Sequence, residues 1–98
     1  MNIERVTQME ERLDNITAAT KGLDARLMKM QSLCGDMSSL FSYYGSEEWY
    51  EDRDGEIPQG VKAGVLSEDA VYDAITDLRD TAFSMIDLAT DILKNRIG

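Results

Sequence analysis

Six carboxylates fall within ten residues of this chain: Glu47, Glu48, Glu51, Asp52, Asp54 and Glu56. Carboxylates at that density have three chemical uses. They can chelate a hard cation, they can do acid–base work as a buried pair, or they can present a charged surface to a partner. The run DRDGEI, Asp52 to Ile57, resembles the middle of an EF-hand loop, with Asp52 and Asp54 at the third and fifth positions, Gly55 at the sixth and Ile57 at the eighth. The first and twelfth positions are then Tyr50 and Val61, and neither offers a carboxylate or amide oxygen. A calcium-like reading therefore rests on an irregular site to which Glu47, Glu48 and Glu51 would contribute.

Catalysis has little support. The chain has no histidine, which excludes Ser-His-Asp and Cys-His nucleophiles and any His-ligated zinc or iron site. GVKAG, Gly60 to Gly64, lacks the Gly-Lys-Ser/Thr ending of a phosphate loop, and no nucleophile elbow or zinc spacing accompanies the acids. The expectation is a non-enzyme without a cofactor. Cys34 is the single cysteine, so no intramolecular disulfide forms, which fits a reducing compartment. No basic-then-apolar segment opens the sequence, and no apolar run is long enough to span a bilayer. These features lead us to expect a soluble, cytoplasmic protein.

The net charge is −9 and the pI about 4.3. That balance argues against direct contact with nucleic acid or an anionic membrane and permits a basic protein partner. The acidity is uneven. Residues 1–44 hold six acids and five bases, residues 45–66 six and two, and residues 67–98 seven and three.

Two helical patterns flank the acidic stretch. Val6, Leu13, Thr20, Leu27, Cys34 and Phe41 alternate with Met9, Ile16, Leu23, Met30, Met37 and Tyr44 in a heptad seam. This spacing predicts a helix over about 3–44, with bending or fraying around Gly35, Ser38 and Ser39. Ser67 is an N-cap, followed by Glu68 and Asp69 at the positive end of the helix dipole. From there Val71, Ile75, Leu78, Ala82, Met85, Ala89 and Ile92 keep a three-four rhythm, predicting a helix over about 68–96 with Lys94 and Arg96 in its last turn and Gly98 beyond. Asp73, Asp77, Asp80, Asp87 and Asp91 lie about 200° around that helix, on its outer face.

The predicted fold is thus all-α: one domain over residues 1–98, an antiparallel two-helix hairpin resembling a coiled coil, with a long ordered loop over about 45–66. The first helix would span roughly 60 Å and the second about 43 Å, which leaves the N-terminal apolar residues uncovered. A homodimer would cover them, most simply as an antiparallel four-helix bundle.

The loop also concentrates rings and turn residues. Tyr43, Tyr44, Trp49 and Tyr50 are four of the seven aromatics, and Gly45 reads as a helix C-cap. Two roles follow. The rings pack as a cap on the helices, or Tyr43, Tyr44, Glu47, Glu48, Trp49, Tyr50, Glu51 and Asp52 form an interaction surface, with the aspartate stripe as a second one.

The run YYGSEEWYED, then Gly55 and Pro58, then GVLSEDAVYD resembles a small bacterial family described only as a domain of unknown function. Tyr43, Tyr44, Gly45, Ser46, Glu48, Trp49, Asp52, Pro58, Gly64, Val65, Leu66, Ser67, Glu68, Asp69 and Tyr72 carry the likeness, which spans nearly the whole chain. The short acidic segment with Arg53 departs from it mildly. The resemblance implies domain boundaries and no activity. The expected function is a cytoplasmic protein–protein interaction module, an adaptor or regulator. The alternatives are a divalent-cation module built on the loop acids and an acidic mimic that occupies a nucleic-acid-binding protein.

Overall fold

The computed structural model describes residues 1–95 and is all-helical there, without a strand. Arg96 and Gly98, expected in and just past the last turn, lie outside the described residues. Helix α1 runs Ile3–Ser32, α2 Cys34–Tyr43, α3 Glu47–Asp54 and α4 Glu68–Lys94, with a 3-10 turn at Gly64–Leu66 before α4. The chain divides into two compact units, one from Met1 to Phe41 and one from Ser42 onward. None of the described helices is long and apolar enough to cross a membrane.

In the first unit, the Asn2 side chain accepts the Arg5 N–H at 3.0 Å and caps α1. The single helix expected over about 3–44 is interrupted at Leu33. The Ser32 hydroxyl donates to the Lys29 carbonyl at 2.6 Å, the acceptor Leu33 N–H would use in an α-helical turn. Leu33 N–H turns instead to Met30 O at 3.0 Å. The α-helical ladder resumes with Met37 N–H to Leu33 O at 2.9 Å. The break coincides with the Ser32 hydroxyl on the Lys29 carbonyl and falls at Leu33, two residues before the glycine the sequence pointed to. No residue of α1 is buried.

The second unit holds the core. Trp49 of α3 and Val71 of α4 are its two buried apolar residues, with Ile75, Leu78 and Ala82 half-buried along α4. The 3-10 turn packs against both α3 and α4. α2 ends where Gly45 takes a left-handed φ of 77° and Ser46 N–H returns to Tyr43 O at 2.9 Å. The span read as a loop contains α3 because Ser46 caps it, its hydroxyl accepting Trp49 N–H at 3.2 Å, and Glu47 and Glu48 fill the first turn. Ser67 repeats the device for α4, accepting Ala70 N–H at 3.3 Å.

Gly45 and Gly22 separate backbone strain from crowding, since a Cβ at either meets nothing within 4 Å. Gly45→Ala should destabilise by about 1–2 kcal/mol through its left-handed φ alone. Gly22→Ala, in the interior of α1, should stabilise by about 0.5–1 kcal/mol. Denaturant titrations of the two variants check both signs.

Candidate functional site

The aromatic cap is built on one indole. Trp49 is 1 % exposed, and its Nε1–H donates to the Val65 carbonyl at 2.9 Å. That bond ties α3 to the segment leading into α4 and satisfies the donor that burial would otherwise strand. Tyr44 and Tyr50 meet the indole edge-on, with ring centroids 5.3 and 4.9 Å away and interplanar angles of 78° and 79°. Both geometries suit the ring quadrupoles. The Tyr44 hydroxyl reaches the Glu68 carbonyl at 3.4 Å.

Arg53 completes the packing. Its guanidinium lies 5.0 Å from the Trp49 ring centroid and 4.9 Å from that of Tyr50, within cation–π range. Its ion pairs are long, 3.6 Å to Asp54 and 4.0 Å to Glu68, and exposed, so they contribute little beside the stacking. In the sequence Arg53 stood out as a departure within the acidic run. In a helix it is the residue that Trp49 and Tyr50 reach at i+4 and i+3. That signal is legible once residues 47–54 are read as helical.

Tyr43 and Asp52 form a second link. The phenol donates to Asp52 Oδ2 at 2.6 Å. This bond to the carboxylate, with partial desolvation and the negative charges of Asp52 and Glu48, pushes the phenol from 10.0 up to about 12. Asp52 is thereby engaged as an acceptor. The backbone from Glu47 to Asp54 is helical, so Asp52 and Asp54 do not sit on the open loop that an EF-hand needs. Among the described residues, no three acidic or thiol side chains converge as a metal site would require.

The expected interaction residues thus separate by environment. Trp49 is a core residue and is removed from the expected surface, because its whole indole is needed to seal the cap. Tyr43 and Tyr44 are half-buried, and Glu47, Glu48, Tyr50, Glu51 and Asp52 are exposed. Asp73, Asp77, Asp80, Asp87 and Asp91 are all exposed along α4. A cleft of about 370 Å³ opens beside α3, lined in part by Tyr43, Asp52, Ile57, Val61, Lys62 and Leu66. Sequence reasoning weighed Ile57 and Val61 as positions of a calcium-like loop; both are exposed and line this cleft.

Residues 6–88 match the family described as a domain of unknown function (DUF4298), in line with the resemblance drawn from the sequence. No curated protein and no solved structure matches the chain.

Two outcomes test this cap. Trp49→Phe keeps a ring but leaves the Val65 carbonyl without its donor, and should cost about 1–3 kcal/mol in a thermal or denaturant melt. Because the folded phenol holds its proton more tightly than the unfolded one, the Tyr43–Asp52 bond contributes fully below the unfolded value of 10.0 and is lost as pH rises through about 12. An NMR titration of the tyrosine rings should find Tyr43 shifted to about 12, and Asp52→Asn should bring it back down.

Proposed function

The chain belongs to the DUF4298 family, and since membership carries no activity, we propose from its own geometry that it is a non-enzymatic protein–protein interaction module. The reading places it in the bacterial cytoplasm as a small adaptor or regulator. It includes self-association of helical hairpins, since α1 exposes its whole apolar seam. The observation that carries the docking role is the outer face of α3. Glu47, Glu48, Tyr50 and Glu51 stand exposed there, on a helix anchored from below by the Trp49 hydrogen bond and the Arg53 stacking. A rigid surface with one half-exposed ring and flanking acids binds with little ordering cost. It suits a partner that offers an apolar pocket rimmed by basic groups.

A second reading draws on the exposed aspartates of α4. Five carboxylates along one helix would fit a basic, nucleic-acid-binding protein as an acidic mimic. Salt separates the two, because a charge-only contact weakens steeply as screening grows.

The test is capture of partners from a bacterial lysate at low and high salt, using the wild-type chain, Tyr50→Phe/Glu51→Lys, which keeps the ring and the first-turn acids, and Asp80→Asn/Asp87→Asn. The α3 reading expects a partner that survives salt and is lost only with the α3 variant, whose melting must match wild type. Loss only with the α4 variant, together with release by salt, would transfer the role to the aspartate stripe. Equal capture by all three would remove both surfaces from consideration.

A further inference from the structure

We infer that the seam of α1 is closed by α1 of a second copy, running parallel and in register. The inference deepens the self-association included above and rests on it. α1 is 30 residues long and buries none of them. Its seam residues stand open, from Leu27 and Met30 at 37 % exposure to Ile16 at 65 %. A helix of this composition gains most of its stability from packing an apolar stripe, which α1 on its own does not do.

The charges beside the seam choose the occupant. With Val6, Leu13, Thr20 and Leu27 at a, and Met9, Ile16, Leu23 and Met30 at d, the g flank carries Arg5, Arg12, Ala19 and Arg26. The e flank carries Glu10, Thr17, Asp24 and Gln31. Every charged residue at g is arginine, and every charged residue at e is acidic. In a parallel, in-register pair each g position faces the e position of the next heptad on the other helix, and these contacts set orientation. Arg5 then meets Glu10 of the second copy, Arg12 meets Thr17, Ala19 meets Asp24 and Arg26 meets Gln31. No like charges meet. In an antiparallel pair g faces g and e faces e, which sets arginine against arginine and acid against acid. The flanks therefore select the parallel pair over the antiparallel arrangement that helix lengths alone suggest.

Thr20, the polar member of the seam, fits this pairing. Its hydroxyl donates to the Ile16 carbonyl within α1 at 2.7 Å, so its donor is satisfied before any partner arrives. In register it packs its methyl group against Thr20 of the second copy, and burial strands no hydrogen-bond donor.

The test is disulfide trapping in the full chain with Cys34→Ser throughout. Val6→Cys and Met30→Cys are prepared separately, oxidised alone and as an equal mixture, and run with sedimentation at tens of micromolar. Disulfide formation needs Cα atoms within about 7 Å, and positions 6 and 30 lie roughly 36 Å apart along a helix. The expected result is a species of twice the 11.0 kDa chain mass, with each variant linking to itself and no mixed product. A mixed product without self-linking would overturn the parallel pairing and leave self-association standing. A monomer with no product from either variant would overturn self-association itself. Circular dichroism of each variant guards against misfolding. Should Val6→Cys lose helicity, Met9→Cys, one position on in the same seam, replaces it with the same readout.

Discussion

The second unit depends on a single hydrogen-bonded indole. Trp49 brings the largest apolar surface in the chain to one point, and its burial is worth on the order of 5 kcal/mol. The same side chain carries a polar N–H that must find an acceptor once covered. The Val65 carbonyl supplies it at 2.9 Å, and that choice fixes the path of the chain between α3 and α4. Tyr44, Tyr50 and Arg53 then settle on what remains of the ring surface. The acids crowd around this anchor without entering it, because an unpaired carboxylate in the core would cost far more than it could return.

The two units solve the problem of a small core differently. Around Trp49 and Val71 a local cluster is sealed by aromatic edges and serine caps. α1 has no comparable sealing, although it holds the longest apolar seam in the sequence. A chain this short cannot surround every apolar stripe with its own residues. The surplus lies on a helix whose charged flanks are arginine on one side of the seam and acidic on the other.

Much of the helical content was legible from periodicity. Ser67, Glu68 and Asp69 announce the start of α4, and Gly45 announces the end of α2, each through a local mechanism written in one or two residue types. The interruption at Leu33 was less visible, because it accompanies a competition for carbonyls in which the Ser32 hydroxyl takes that of Lys29. Hydrogen-bond competition of that kind leaves no periodic trace. The acidic run misled more strongly. Read as a loop, it offered calcium-like spacing and left Trp49 either a cap residue or part of a surface. Read as α3, the same residues place Trp49 inward and Arg53 above it. Side-chain environment in this span follows from a tertiary partner, the Val65 carbonyl, sixteen residues away along the chain, and no local pattern encodes it.

The separation of inward indole from outward acids on α3 also shapes how the protein can change over generations. Glu51 contributes no packing and lies beyond the first turn, so its identity can drift or reverse in charge while the cap still folds. Trp49, one residue from Glu48, has no such freedom. Buried and exposed positions thus alternate along one short helix and answer to separate constraints. The exposed side of the helix can therefore change by point substitution without first acquiring a compensating stabiliser.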